Sequence, residues 1–185
     1  MQGDGAWAVL TQQQDDGRTP LHLAAVHGYP EVVRLLIEGR PSQVKAPMLV
    51  GMRDDGKRTA LYSACSIGGG TDAESTAAVA AVLLEYGPES IDCGDGTGTC
   101  PLHLAARQGD VALVQVLLSH QPELDAIDGA GRTPLVCATI EGHVEAARVL
   151  LEAGASPTIA DASGSDARSW AELLEHDQIG ALLGC

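Results

Sequence analysis

The chain has 185 residues, of which 45% are hydrophobic, only 3% are aromatic and none is phenylalanine. Its formal net charge of −14 disfavours direct binding to nucleic acid or to an anionic membrane, because both ligands require cationic side chains. The acidic excess fits either a partner with a basic surface or a contribution to solubility alone. An apolar content dominated by Leu, Val and Ala favours thin layers of helices over a large aromatic core.

The cysteines and the N-terminus indicate the compartment. The five cysteines form no CxxC pair, which is typical neither of a disulfide framework nor of a zinc site. Asparagine is absent, so the chain has no N-glycosylation acceptor. The N-terminus lacks the pattern of a secretory leader, and no apolar stretch reaches membrane-spanning length. These features predict an intracellular protein, cytoplasmic or nuclear.

An internal repeat begins after residues 1–13, which lie outside its register and are predicted to be an N-terminal cap or flanking segment. The motif of residues 19–24, Thr-Pro-Leu-His-Leu-Ala, opens the first unit. It returns at residues 100–105 and 133–138, with a weaker copy at 59–64 and a degraded copy at 166–171. A fixed period of this kind predicts stacked units of a few dozen residues.

Each unit carries the local determinants of a helix pair. Thr19 is a suitable N-cap, and Pro20 suits the first helical turn, where its missing N–H is no loss. Gly28 follows at the predicted end of this first helix, as an αL residue would. A second apolar segment comes next, and its leucines are predicted to form one column through the stack. Those leucines are Leu36, Leu83, Leu117, Leu150 and Leu183.

These motifs resemble the ankyrin repeat, whose fingerprint is T-P-L-H-x-A at a period of about 33 residues. The resemblance implies an all-α ankyrin-repeat solenoid, in which helix-turn-helix units with β-turn fingers stack into a curved slab. It covers residues 14–185, divided into repeats at approximately 14–39, 54–90, 95–127, 128–160 and 161–185. The second repeat is enlarged, and the fifth is expected to be a degenerate, more polar C-terminal cap.

Insertions are predicted at about residues 40–53 and 66–75. The first contains the apolar run Pro47-Met48-Leu49-Val50-Gly51-Met52. This run has two interpretations, an exposed partner contact or a loop that folds back onto the slab.

No pattern in the chain predicts catalysis, a cofactor or a metal. In the family, the fingerprint histidine, here His22 and His103, bonds locally to brace the turn, and His143 and His176 share a second fixed position. The glycines of Gly94-Asp95-Gly96-Thr97-Gly98 fall at a predicted finger, so they indicate a turn and not a phosphate-binding loop. We therefore expect a protein that is not an enzyme.

The resemblance implies binding of another protein through the finger tips and the concave face of the first helices. Carried over residue by residue, the predicted partner-binding positions are Asp15, Asp16, Arg18, Val26, His27, Asp54, Asp55, Lys57, Ser66, Ile67, Thr97, Thr99, Arg107, Gln108, Ala130, Arg132, Ile140 and Glu141. Within this set, Arg107 and Arg132 are expected to lie on one side and to anchor an acidic or aromatic element.

We expect a monomeric scaffold or adaptor protein. Two alternatives remain at this stage. The chain could be the targeting module of a larger enzyme, such as a ubiquitin-ligase subunit or a kinase, or it could be a structural spacer in a large assembly.

Overall fold

The computed structural model describes residues 11, 13–40, 44–66 and 73–184, and these residues form helices and turns without any strand. The prediction of an all-α repeat fold is confirmed. The helices, in chain order, are α1 (Pro20–Val26), α2 (Pro30–Glu38), α3 (Ala46–Val50), α4 (Ala60–Cys65), α5 (Ala73–Tyr86), α6 (Pro101–Gln108), α7 (Val111–Leu118), α8 (Pro134–Ile140), α9 (Val144–Glu152), α10 (Ala167–Leu173) and α11 (Asp177–Leu183). A short 3-10 turn, Pro88–Ser90, follows α5.

The chain divides into two compact units, residues 1–96 and residues 97–185. In each unit, the first helix of one repeat packs against the first helix of the next repeat, and second helices pack against second helices in the same way. First helices pair as α1 with α4, α6 with α8 and α8 with α10, and second helices pair as α2 with α5, α7 with α9 and α9 with α11. Helices this short are marginal in isolation, so these contacts between repeats supply most of their stability.

The first helices begin and end where the local sequence predicts. Thr19 has extended backbone angles before α1, Pro20 is the first helical residue, and the Thr19 and His22 side chains form a capping box. Gly28, Gly109 and Gly142 follow their helices with φ of 69°, 69° and 74°. This left-handed conformation ends a helix at little cost when the residue is glycine.

The predicted leucine column is present in residues 97–185, where Leu117 and Leu150 are fully buried and Leu183 is nearly so. In residues 1–96 it differs at one position. Helix α2 buries Val33 and Ile37, four residues apart on one face, and leaves Leu36 only half-buried. The apolar seam of the first repeat is therefore rotated by one residue relative to the prediction.

The apolar run of the first insertion folds back onto the protein. Helix α3 packs against α2, α5 and the 3-10 turn, which buries Leu49 and Val50 and leaves Met48 62% exposed. Gly87 makes this possible, because a Cβ atom on Gly87 would lie 2.7 Å from Val50 Cγ1. The loop interpretation therefore holds for the buried part of the run.

The last repeat uses polar contacts where earlier repeats use apolar ones. Arg168 donates a hydrogen bond from Nη2 to the Leu183 carbonyl oxygen at 2.7 Å, and Trp170 donates from Nε1 to Asp161 at 2.9 Å. Leu173 remains 68% exposed. The predicted N-terminal cap, residues 1–13, lies almost entirely outside the described residues, as does most of the predicted insertion at 66–75.

No helix within the described ranges combines the length and apolar character required to cross a bilayer.

Candidate functional site

The finger turns share one construction. Four of the five begin with a residue whose backbone N–H donates to the carbonyl oxygen four residues later, as in Asp54 to Arg58 and Asp128 to Arg132, both at 3.0 Å. The fourth residue of the turn has positive φ. It is glycine in four turns and Lys57, with φ of 63°, in the remaining one. These glycines are Gly17, Gly98, Gly131 and Gly164.

Two of the turns are held by a buried carboxylate that pairs with arginine. The Asp54 side chain is fully buried and accepts hydrogen bonds from Arg58 at its backbone N (2.9 Å) and its Nε atom (2.8 Å). Asp128 makes the same contacts with Arg132, whose Nη2 atom lies 2.7 Å from Asp128 Oδ2. Burial alone would raise the pKa of both carboxyls, but the hydrogen bonds from the arginines lower it on balance.

This construction overturns two of the predicted partner contacts. Asp54 is 5% exposed and Thr99 is 8% exposed, although both were expected on the surface of a finger. Asp54 is the carboxylate that holds its own turn together. Thr99 stands where Arg58 and Arg132 stand in their turns, and its hydroxyl lies 3.0 Å from that of Thr97. Both side chains are therefore part of the turn and are unable to present a surface to a partner.

The two fingerprint histidines, His22 and His103, each connect their own turn to the next one. The backbone N–H of Thr19 donates to Nδ1 of His22 at 3.2 Å, and His22 Nε2 lies 3.0 Å from the carbonyl oxygen of Arg58. Because Nδ1 accepts, Nε2 carries the proton and donates to Arg58. The expected local bracing is confirmed. The second contact, to a turn 36 residues away, was not foreseen from the sequence.

The histidines at the second fixed position make a contact in the opposite direction. His143 Nε2 lies 3.0 Å from the carbonyl oxygen of Arg107, and His176 Nε2 lies 3.4 Å from that of Ile140. Each ring therefore connects the start of a second helix to the end of the first helix in the preceding repeat. Among the described residues, no group of histidine, cysteine and acidic side chains is arranged to hold a metal ion.

The remaining predicted contacts lie at or near the surface. Nine are exposed: Asp15, Asp16, His27, Asp55, Lys57, Ser66, Thr97, Ala130 and Glu141. Six are half-buried: Arg18, Val26, Arg107, Gln108, Arg132 and Ile140. Ile67 lies outside the described residues. Fingers approach one another through backbone hydrogen bonds, from Asp55 N to Asp16 O at 3.2 Å and from Ala162 N to Ala130 O at 2.9 Å.

Arg107 and Arg132 converge on one carboxylate. Arg107, in the last turn of α6, places Nη2 3.7 Å from Asp128 Oδ2, the same oxygen that Arg132 binds. Within the described residues, its hydrogen-bond acceptor is the sulfur of Cys137, at 4.0 Å. Sequence reasoning placed both arginines on one side but missed Asp128 between them. The role of Asp128 could have been inferred from a repeated spacing, in which an Asp stands four residues before an Arg, at positions 54 and 58 and at positions 128 and 132.

Three cysteines lie in or next to the first helices. Cys65, Cys100 and Cys137 are buried and form no disulfide, which is typical of small core residues. Burial raises the pKa of the Cys137 thiol, even though the neighbouring Arg107 acts to lower it. Cys137 is therefore a neutral thiol at physiological pH.

A family model that spans three successive ankyrin repeats matches residues 6–89 and again residues 72–161. The chain is 34% identical over 113 residues to the nuclear factor NF-kappa-B p105 subunit of Gallus gallus, which covers 60% of this chain and 11% of that protein. It is 28% identical over 170 aligned residues to the NF-kappa-B inhibitor cactus of Drosophila yakuba, which covers 65% of this chain and 35% of the relative.

A third relative is a homologue of the transient receptor potential cation channel subfamily A member 1 from Caenorhabditis elegans. It is 34% identical over 111 residues, which cover 60% of this chain and 8% of the channel protein. The chain thus spans about a third or less of the length of each of these relatives. With the fingerprint, the helix pairs and the matched family model in agreement, the chain belongs to the ankyrin-repeat family.

Proposed function

We propose that this chain is a non-catalytic protein-binding module that recognises a partner through its finger tips and the adjoining face of its first helices. One observation carries the proposal. Nine of the predicted contact residues are exposed, while the side chains beneath them, such as Asp54, His22 and Thr99, are buried and hydrogen-bonded. A surface fixed in this way loses little conformational freedom when a partner binds.

The comparisons support a role in holding another protein. Cactus is named as an inhibitor of NF-kappa-B, and the p105 protein is named as a subunit of that factor. Both relatives contain the repeat that this chain shares. The proposal takes from them only the general role of the repeat, since the chain spans a small part of each.

The charge of the chain favours a partner with a basic surface. The exposed finger residues include Asp15, Asp16 and Asp55, and the formal net charge is −14. Charge complementarity of this kind accelerates association and selects among partners more than it adds affinity.

We also propose that the protein is a monomer in the cytoplasm or nucleus. Its repeats are taken to have the boundaries predicted from the sequence.

Affinity purification from cell extract with mass spectrometry tests this function. The test variant replaces three exposed finger residues with arginine: Asp15→Arg, Asp55→Arg and Ala130→Arg. The control variant makes the same change in net charge on exposed positions of second helices: Glu31→Arg, Ala112→Arg and Glu152→Arg. We expect the control to retain the partners of the unmodified chain and the finger variant to lose them.

Equal capture by both variants would place the binding surface elsewhere. Loss of the same partners from both variants would show that overall charge, not the fingers, governs binding. If only the components of one large assembly were recovered with every variant, the structural-spacer alternative would replace the proposed function.

A further inference from the structure

The carboxylate of Asp128 is already fully occupied by its own turn. Its Oδ1 atom accepts the backbone N–H groups of Ala130 and Arg132, both at 2.9 Å. Its Oδ2 atom accepts Nε and Nη2 of Arg132, at 3.0 and 2.7 Å. A carboxylate has about four acceptor positions, and all four are used. The charge of Arg132 is therefore matched, and that of Arg107 is additional.

Arg107 has no dedicated counter-ion within the part of the chain that the structure describes. Its Nη2 atom lies 3.7 Å from Asp128 Oδ2, beyond hydrogen-bond distance, and 4.0 Å from the Cys137 sulfur. A neutral thiol is a weak acceptor. The side chain of Arg107 is 37% exposed and that of Arg132 is 33% exposed. Two guanidinium groups thus share one carboxylate at the surface, and the described residues supply no acceptor for most donors of Arg107.

The other unit shows that the turn does not require this second arginine. Asp54 and Arg58 form the same pair as Asp128 and Arg132, with the same 2.7 Å contact. In the first repeat, which precedes the Asp54–Arg58 turn, the position that corresponds to Arg107 is Val26, which is half-buried and uncharged. Arg107 therefore adds nothing that the turn needs in order to form.

The proximity of Arg107 and Arg132 is unusual because cationic side chains are few in this part of the chain. Residues 97–185 contain four cationic side chains, those of Arg107, Arg132, Arg148 and Arg168, and more acidic than basic residues. Arg148 pairs with Glu145 at 3.1 Å, and Arg168 donates to a backbone carbonyl. The two remaining arginines meet at the junction of a finger and the end of a first helix, within the proposed binding surface.

We infer that Arg107 and Arg132 form a cradle for an oxyanion on the partner protein, either a carboxylate or a phosphoryl group on one of its side chains. The planar guanidinium of Arg107 offers two parallel donors, the geometry that binds such groups in a bidentate manner. Arg132, clamped to Asp128, provides a fixed second edge. This inference rests on the proposed function and names the element of the partner that the surface takes.

The test uses the intact chain, labelled with ¹⁵N, and the side-chain Nε–Hε signals of its arginines. Three capped pentapeptides serve as probes: alanine peptides with a central glutamate, phosphoserine or serine. We expect saturable shifts of the Arg107 and Arg132 signals with the glutamate or phosphoserine peptide, with dissociation constants below about 10 mM. Tighter binding of one acidic peptide identifies a carboxylate or a phosphoryl group as the preferred oxyanion.

Three variants make the experiment specific. Arg107→Val inserts the residue that the chain itself uses at this position in the first repeat, and we expect normal thermal unfolding with loss of the saturable shift at Arg132. Arg107→Lys keeps the charge without the planar fork, so binding should weaken several-fold. Arg148→Val removes the same charge elsewhere and should leave the binding of the peptides unchanged.

The inference is overturned if Arg107→Val binds the acidic peptides as the unmodified chain does, if the serine peptide binds equally, or if no saturable shift appears. These outcomes differ from failure of the proposed function. If the finger-dependent partners described above are captured equally by Arg107→Val, the cradle is wrong and the function stands. If no partner depends on the fingers, the function fails, and the peptide titration still reports on the cradle.

Discussion

The imidazole of His103 lies 2.8 Å, measured from Nε2, from the carbonyl oxygen of Arg132 in the next finger turn. Its Nδ1 atom accepts the backbone N–H of Cys100 at 3.2 Å. Burial lowers the pKa of both His103 and its counterpart His22. The ring is thus held in its neutral form, because a proton on Nδ1 would face another donor.

These histidines should make the protein sensitive to mild acid. Their pKa is lowered on folding, so their contribution to stability is complete above the unfolded pKa of about 6.5. It is lost as the pH falls from there through the lowered pKa of the folded state. The free energy of unfolding should therefore decrease below pH 6.5, by at most about 1.4 kcal/mol per pH unit for each histidine.

Urea denaturation between pH 7.5 and about pH 5 measures this dependence. His103→Gln, which cannot titrate, should be less stable at neutral pH but should show a shallower decrease than the unmodified chain. His120→Gln, an exposed histidine, serves as the control. Parallel curves for His103→Gln and the unmodified chain would contradict the assignment.

Loss of a buried finger carboxylate should destabilise the protein. Asp128→Asn retains the shape but removes the charge that faces Arg132 and Arg107. We expect a cost of about 1–3 kcal/mol in the free energy of unfolding, less than for a fully buried pair because both arginines are about one-third exposed.

Asp16→Asn is the matched control for this prediction. Asp16 also faces an arginine, with its Oδ2 atom 3.3 Å from Arg18 Nε, but its side chain is 48% exposed. Its replacement should cost less than about 0.5 kcal/mol. Similar losses for both variants in denaturant titrations would mean that burial of Asp128 is not what makes its pair important.

Lys57→Gly should stabilise the protein. Lys57 has φ of 63° at the position that glycine fills in the other four turns. The left-handed conformation costs a non-glycine residue about 1–2 kcal/mol, and the greater freedom of glycine in the unfolded chain offsets part of the gain. We expect a net increase of about 0.5–1 kcal/mol in the free energy of unfolding. Lys57→Ala keeps the Cβ atom and should give no such increase.

Gly87 and Val50 should be coupled. Gly87→Ala would introduce a Cβ atom 2.7 Å from Val50 Cγ1, and overpacking of this kind costs about 1–3 kcal/mol. Val50→Ala leaves a cavity of its own. Because the smaller side chain makes room for the new methyl group, the double variant should be more stable than the sum of the two losses predicts. Additive losses in this double-mutant cycle would show that α3 is not packed as described.

Much of the fold was accessible from the sequence, because its determinants act locally. Thr19 and Pro20 begin a helix through one cap and one fixed φ angle, and Gly28 ends it through its freedom at positive φ. The period that repeats these residues then predicts which helices pack together. The exposed finger residues, such as Asp55 and Lys57, were likewise found by position within the repeat.

The features that the sequence did not predict correctly have a different physical origin, because each depends on which side chains meet after the chain has folded. Asp54 was expected on the surface from its position in the finger, yet the folded turn surrounds it with Arg58 donors. Leu49 and Val50 could be assigned to the core only when α2 and α5 were in place.

The sequence alone therefore determined where the first helices begin and end, how often the unit recurs and which family the chain resembles, because caps, prolines, glycines and periods are read along the chain. Tertiary structure alone decided that Asp128 stands between Arg107 and Arg132. Those arginines are 25 residues apart in the sequence and lie on different elements. The strength of an ion pair depends on the distance between the charges, and only the packing of the repeats sets that distance.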